Sequence, residues 1–157
     1  MECSLALNKK KSVMKEKIKK VSIYILDDDR YYGLYLAKAL RNEKYDIEYF
    51  QHEKECIQNL DSIPDILILD HRLEYATGLE ILEEVNRKCK GKTMVIYLSA
   101  QENVHVAVKA MKEGAITYVE KSSFSVEAII DTIEQIASLT NNFNNNLDIT
   151  KFRSQSR

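Results

Sequence analysis

From Val21 onward, short continuous apolar runs alternate with stretches whose apolar residues recur at helical spacing. Val21–Leu26 (VSIYIL) has the length, β-branching and unbroken apolarity of a strand buried on both faces. Asp29 can cap a helix over 30–42, on which Tyr31, Leu34, Ala37 and Leu40 are expected to share the core face. A short strand follows at 46–50 and a short helix at 53–60, which the Asp-Ser-Ile-Pro stretch stops. Residues 65–69 (DILIL) form a second fully apolar strand. A loop leads to Gly78 and a helix carrying Leu79, Leu82, Val85 and Cys89, which ends near Gly91. Then come a strand at 93–98, a helix at 104–113 closed by Gly114, a strand at 116–119 and an amphipathic helix at 126–139.

Five strand–helix units in succession predict an α/β fold: a flavodoxin-like, doubly wound, five-stranded parallel sheet in the order 2-1-3-4-5, flanked by five helices. The near-obligatory right hand of such crossovers leaves few other topologies. The expected organisation is a basic arm at 1–20, one domain at 21–140 and an Asn-rich polar tail at 141–157.

Composition changes this picture little. The net charge of −1 conceals a lysine-rich head, with seven lysines against two glutamates in residues 1–20. Between 21 and 140 stand 21 acids against 13 bases. An acidic body with basic ends is not a nucleic-acid footprint, so no nucleic acid is expected as partner. No apolar stretch reaches membrane-spanning length, and the head lacks the basic-then-apolar order of a signal peptide. A cytoplasmic protein is expected. Cys3, Cys56 and Cys89 have no metal-ligand spacing and read as reduced thiols.

The chemistry lies where the apolar runs stop. The first runs into Asp27-Asp28-Asp29, the second into Asp70, the third into Ser99 and the fourth into Glu120-Lys121. Parallel strands deliver their carboxyl ends to one sheet edge, where open α/β sheets bind ligands, and the first and third strands meet at the switch point. Asp27, Asp28 and Asp70 would then lie within a few ångströms and repel one another. A hard divalent cation such as Mg²⁺ relieves that repulsion and clamps a phosphoryl group beside Asp70. The Asp70 carboxylate can act as nucleophile and form an acyl phosphate. Lys121 supplies a point charge and Ser99 a hydroxyl donor to the phosphoryl oxygens. Asp29 is better placed as a helix cap than as a ligand. His71 reads as a solvent-facing loop residue, His52 and His105 as structural or exposed, and Arg30, Tyr31 and Tyr32 as rim or cover.

The motifs ILDDD, PDILILDHRLEYATGLEIL, YLSA and GAITYVEKS, in this order and spacing, resemble the response-regulator receiver domain of two-component signalling. The resemblance runs from about Val21 to Leu139. It implies Asp70 as phosphoacceptor, Asp27 and Asp28 as metal-site acids, the Arg72 backbone carbonyl as a further Mg²⁺ ligand, Ser99 as switch hydroxyl, Tyr118 as switch aromatic and Lys121 as the conserved-type lysine. It also implies a sensor histidine kinase or phosphotransfer protein as donor, and an output protein that reads the fourth helix, fifth strand and fifth helix. A phosphorylation-dependent homodimer is compatible with it. Three departures from the family pattern stand out, the third a pair of positions. Glu74 and Ser122 stand where proline is usual, and the lifetime-tuning positions hold Arg72 and Gln101. With Ser122 rather than proline, the Lys121–Ser122 peptide is expected to be trans, or mobile, unlike the cis bond usual in the family.

Other readings use the same residues. A haloacid-dehalogenase-like phosphatase would need a second Asp two residues after the nucleophile, where Arg72 stands. A pseudo-receiver would bind without phosphorylation, against which the intact acidic triad and Lys121 argue. Too few residues follow Leu139 for a DNA-binding domain, so a stand-alone receiver is expected, with a fragment of a longer regulator as the alternative. No separate substrate turnover is expected, and the chain is therefore not read as an enzyme.

Overall fold

The computed structural model describes residues 20–100 and 103–143, with side chains through 139. The basic arm, Cys3, Gln101 and most of the Asn-rich tail lie outside the described residues. The elements run β1 (Val21–Leu26), α1 (Arg30–Leu40), β2 (Tyr45–Phe50), α2 (Glu53–Asn59), β3 (Ile66–Asp70), α3 (Gly78–Cys89), β4 (Met94–Ser99), α4 (Val104–Lys112), β5 (Thr117–Glu120) and α5 (Ser125–Phe143). All strand pairs are parallel, in the order β2-β1-β3-β4-β5. This is the expected flavodoxin-like, doubly wound topology.

Alternation along the strands builds two cores. Ile23, Ile25, Ile66, Ile68, Ile96 and Leu98 face α1 and α5, meeting Leu36, Leu40, Ile129 and Ile133. Tyr24, Leu26, Leu67, Leu69, Val95 and Tyr97 face α2, α3 and α4, meeting Cys56, Ile81, Leu82, Val85 and Ala110. Both faces are covered, which is why the central strands read as unbroken apolar runs rather than alternating ones.

Helix α1 departs in part from the expected face: Leu40 is buried and Ala37 packs against the core as expected, but Tyr31 and Leu34 do not join them. Gly33, Leu36 and Leu40 are buried, whereas Tyr31 is 90% exposed and Leu34 47% exposed. The helix carries two apolar stripes, one through Gly33, Leu36 and Leu40 and one through Tyr31, Leu34 and Tyr35. Apolar spacing alone does not choose between them, and Gly33 does. A Cβ there would drive into the Tyr49 ring, so α1 approaches β2 closely only on its glycine side.

Other differences are at element ends. α2 stops at Asn59 and passes into a single 3-10 turn, Leu60–Ser62, closed by Ile63 in the left-handed region (φ 48°) ahead of Pro64. β3, β4 and β5 each extend to include Asp70, Ser99 and Glu120, one residue later than the apolar runs suggest. α5 continues to Phe143, past the boundary expected at 140. Once its Ile129–Ile133–Ile136 stripe is packed, adding residues to an existing helix needs no new nucleus.

Gly78, the first residue of α3, sits against the site loop. A Cβ there would meet the Asp70 carbonyl oxygen and stand 2.7 Å from the Tyr97 hydroxyl. Two stability predictions follow from these placements. In urea unfolding, Leu36→Ala is expected to cost about 2–5 kcal/mol and Leu34→Ala no more than about 0.5 kcal/mol; equal losses would contradict the observed face of α1. Gly78→Ala gains about 1 kcal/mol in helix propensity but overpacks a site bounded by backbone and a buried phenol, at a cost of about 1–3 kcal/mol. A net loss of about 1–2 kcal/mol is therefore expected, and a stabilised variant would refute the close approach.

Candidate functional site

Register carries the site residues to one edge. Leu26 pairs with Leu69, so Asp27 leaves β1 beside the end of β3 at Asp70. Asp70 pairs with Leu98 and Ser99 with Glu120, so the ends of β4 and β5 lie next along the same edge. The Lys121 N–H donates to the Ser99 carbonyl (2.7 Å), fixing the backbone of the lysine one residue past β5.

At the centre is the Lys121 ammonium, 2.7 Å from Asp27 Oδ2 and 2.9 Å from Asp70 Oδ1. Its side chain is 13% exposed, and both carboxylates are buried. Burial pushes the lysine pKa down, but its bonds to Asp27 and Asp70 outweigh this and hold it above the ordinary lysine range. The remaining carboxylate oxygens are also held. Asp27 Oδ1 accepts from the Asp29 N–H (3.0 Å), and Asp70 Oδ2 accepts from the Arg72 N–H (3.1 Å).

Asp28 completes an acidic cluster. One carboxylate oxygen from each of Asp27, Asp28 and Asp70 lies within 4.8 Å of the others. Burial first, and then the Asp70 charge, raise the Asp28 carboxyl above its ordinary range. Burial pushes Asp27 up to about 6 even against the opposing pull of Lys121. One ammonium thus faces three carboxylates in a partly dry recess. Close carboxylate oxygens with excess negative charge are a donor set that fits a hard cation such as Mg²⁺. Asp29 is set apart from the cluster. It is the N-cap of α1, its Oδ1 accepting from the N–H groups of Tyr31 (3.0 Å) and Tyr32 (3.2 Å), as its sequence position suggests.

Ser99 ends β4 and is 3% exposed. Tyr118, in β5, is half-buried and stacks on Tyr97 with centroids 6.3 Å apart and planes 18° from parallel. The backbone of Arg72 lies against the site, and the residue forms an antiparallel bridge with Thr77 that closes the β3–α3 loop. Glu74, at the usual proline position, lies 3.8 Å from His52. The Lys121–Ser122 peptide is trans, as are all peptides among the described residues. His105 is exposed, in the first turn of α4 that Asn103 caps.

His71 is not the solvent-facing residue expected. It is half-buried, and its Nδ1 lies 2.7 Å from the Tyr97 hydroxyl. Burial lowers its pKa below the usual imidazole value. The reason is its backbone: its N–H donates to the Leu98 carbonyl and its carbonyl accepts from Gly78, which turns the ring over β4.

Four further residues shape the site; for Tyr97, Tyr49 and Glu53 the sequence suggests no such part. Tyr97 supplies a fully buried phenol beneath the loop. Tyr49 donates from its hydroxyl to the Asp27 carbonyl (2.9 Å). Glu53, 5% exposed at the start of α2, accepts from the Tyr75 N–H (2.8 Å) and braces the β3–α3 loop. Tyr32, read as rim or cover, places its ring centroid 4.5 Å from Lys121 Nζ. The available signal was a hydroxyl within an apolar run, since a buried tyrosine seeks a partner for its O–H. Glu53 gave none, because an acid in a first helical turn is ordinary.

Comparison with known proteins agrees with this geometry. Residues 23–134 match the family model described as the response regulator receiver domain. The DNA-binding transcriptional regulator NtrC of Escherichia coli (strain K12) is 26% identical over 117 residues, covering 74% of this chain and 24% of that protein. The acid tolerance regulatory protein ActR of Rhizobium meliloti is 27% identical over 115 residues, covering 73% of this chain and 59% of that protein. The chain thus spans less than two thirds of the length of these curated relatives. Among solved structures, a CheY-like receiver domain protein from Methanospirillum hungatei JF-1 superposes with a TM-score of 0.69 at 19% identity, covering 79% of this chain and 99% of that one. The response regulator DrrB of Thermotoga maritima gives 0.69 at 20% identity, covering 78% of this chain and 54% of that one. With the acidic cluster at the carboxyl edge of a 2-1-3-4-5 sheet and a family match over most of its length, this chain belongs to the response regulator receiver domain family.

Proposed function

We propose that the chain is the phosphoacceptor module of a two-component relay, with Asp70 as acceptor. The observation that carries this is the Lys121 ammonium bridging Asp27 and Asp70, within 2.9 Å of each, beside a three-carboxylate cluster. In the proposed step an Asp70 carboxylate oxygen attacks the phosphorus of the donor. The bond from phosphorus to the leaving group breaks, its electron pair departs with the leaving group, and an acyl phosphate remains on Asp70. The donor is a sensor histidine kinase or a phosphotransfer protein.

Mg²⁺, held by Asp27, Asp28, Asp70 and the Arg72 carbonyl, would neutralise charge on the phosphoryl oxygens. Lys121 exchanges part of its contact with Asp70 for a phosphoryl oxygen while Asp27 keeps it in place. Ser99 donates its hydroxyl to another phosphoryl oxygen, and Tyr118 follows the inward movement of β4. The α4-β5-α5 surface then changes its affinity for an output protein or a second copy of the chain. Exposed Val104, Val108 and Met111 on α4 support an interaction role for that face.

The receiver unit is taken as 21–140, carried on by the end of α5, with the basic arm 1–20 and the polar tail 141–157 outside it. A cytoplasmic location accords with this role, and no described helix is long and apolar enough to cross a membrane. With Asp70 as the group that takes up the phosphoryl, the chain is read as a signalling partner without turnover of its own.

Incubation with acetyl phosphate and Mg²⁺ is expected to add one phosphoryl group in intact-mass analysis, and Asp70→Asn to add none. Label persisting on that variant would move the acceptor elsewhere. In Mg²⁺ titrations Asp28→Asn is expected to weaken binding by at least about tenfold, since loss even of a supporting group around a metal costs that much. Asp29→Asn preserves the helix cap and should leave the affinity nearly unchanged. A larger loss at Asp29 than at Asp28 would reverse the ligand assignment.

A further inference from the structure

A lysine poised between two carboxylates has four flexible side-chain bonds and no intrinsic preference for a phosphoryl-facing position. Asp27 and Asp70 hold the ammonium by two contacts, at 2.7 and 2.9 Å. A third contact comes from α1. The Tyr32 ring stands 4.5 Å from Lys121 Nζ, measured to its centroid, offering the electron-rich face of an aromatic quadrupole to the cation. Unlike a third carboxylate, that face holds the ammonium without adding formal charge to the acidic recess.

The ring is itself anchored. Tyr32 Oη lies 2.9 Å from Ser125 Oγ, and Ser125 is 2% exposed. Ser125 Oγ donates its one proton to the Ser122 carbonyl (2.9 Å), so it must accept from the Tyr32 O–H. The Ser125 N–H also donates to the Ser122 carbonyl (3.2 Å), and the Phe124 N–H donates to Ser122 Oγ (3.3 Å). One chain of bonds therefore runs from α1 through Tyr32 and Ser125 to the turn that begins immediately after Lys121.

We propose that Tyr32 is a positioning residue for phosphoryl acceptance: its ring orients the Lys121 ammonium, and its hydroxyl, through Ser125, holds the turn after that lysine. The inference rests on Asp70 as acceptor and goes beyond it by naming what aims the cation at the incoming phosphoryl group. Both contacts of Tyr32 bear on the placement of Lys121, one at its ammonium and one at the turn that follows it, which makes the proposal separable from a general packing role.

The test is the rate of Asp70 phosphorylation by acetyl phosphate in Mg²⁺, on the full chain, with folding checked by thermal unfolding. Tyr32→Leu is expected to slow the rate roughly five- to thirtyfold, the range for a desolvated ring–ammonium contact. Tyr32→Phe keeps the ring and should restore the rate to within about threefold. In a Lys121→Ala background the same Tyr32→Leu change should have no further effect, because the group it orients is gone. Should Tyr32→Leu fail to fold, proton NMR of the unmodified chain provides the second measurement: the Lys121 ε-methylene resonances are expected upfield, shifted by the ring current, and unshifted resonances would overturn the proposal. Additive losses in the double variant, or a Tyr32→Leu rate equal to that of the unmodified chain, would also overturn it while leaving the Asp70 reading intact. An unmodified chain that accepts no phosphoryl group would overturn both.

Discussion

The buried contact between the Lys121 ammonium and the carboxylates of Asp27 and Asp70 is the constraint on which the rest of the site depends. Removing three charged groups from water is costly, and their mutual attraction offsets that cost only when the geometry is good and the spare lone pairs are satisfied. Here the spare oxygens are taken by the Asp29 and Arg72 N–H groups, and the lysine backbone by the Ser99 carbonyl. Each donor or acceptor stands at the end of a strand or in the loop that leaves it, all at the same sheet edge. Burial still raises the Asp27 carboxyl against the pull of the lysine, and one ammonium stands beside three clustered carboxylates.

This arrangement needs the parallel register. An antiparallel pairing of β1 and β3 would place Asp27 and Asp70 at opposite edges, a strand length apart. The doubly wound topology instead stacks the carboxyl ends of β1, β3, β4 and β5 in order, so four sequence-distant residues meet with little local distortion. The sheet is packed by α1 and α5 on one side and by α2, α3 and α4 on the other, and the polar chemistry gathers at the last residues of the strands and in the loops that follow them.

For the same reason much of the fold was legible in the sequence. Strands buried on both faces announce themselves as apolar runs, and the residues that end them are the site: Asp27, Asp70, Ser99 and Lys121 could be placed by topology alone. What topology does not encode is side-chain direction at half-buried positions. Tyr31 and Tyr32 are adjacent on the same helix, yet one is 90% exposed and the other caps the lysine. Nothing in the apolar spacing separates them; the close approach of Gly33 to Tyr49 does, and that is a tertiary contact. The His71 ring is a similar case, since its direction follows from backbone bonds to Leu98 and Gly78 rather than from its loop position.

Tyr97 extends the argument from the site into the body of the domain. Its ring is stacked on Tyr118, its hydroxyl meets His71, and Gly78 lies close enough that a methyl group would not fit between them. Loop, helix start and two strands are therefore packed as one unit around a single buried phenol. Interiors at native density transmit displacement because they contain little free volume to absorb it. A shift of β4 at Ser99 cannot be confined to the hydroxyl: two residues earlier on the same strand it moves the ring against which Tyr118 rests. The burial of Tyr97 is thus what ties the sheet edge to the strand that lies beside α4 and α5.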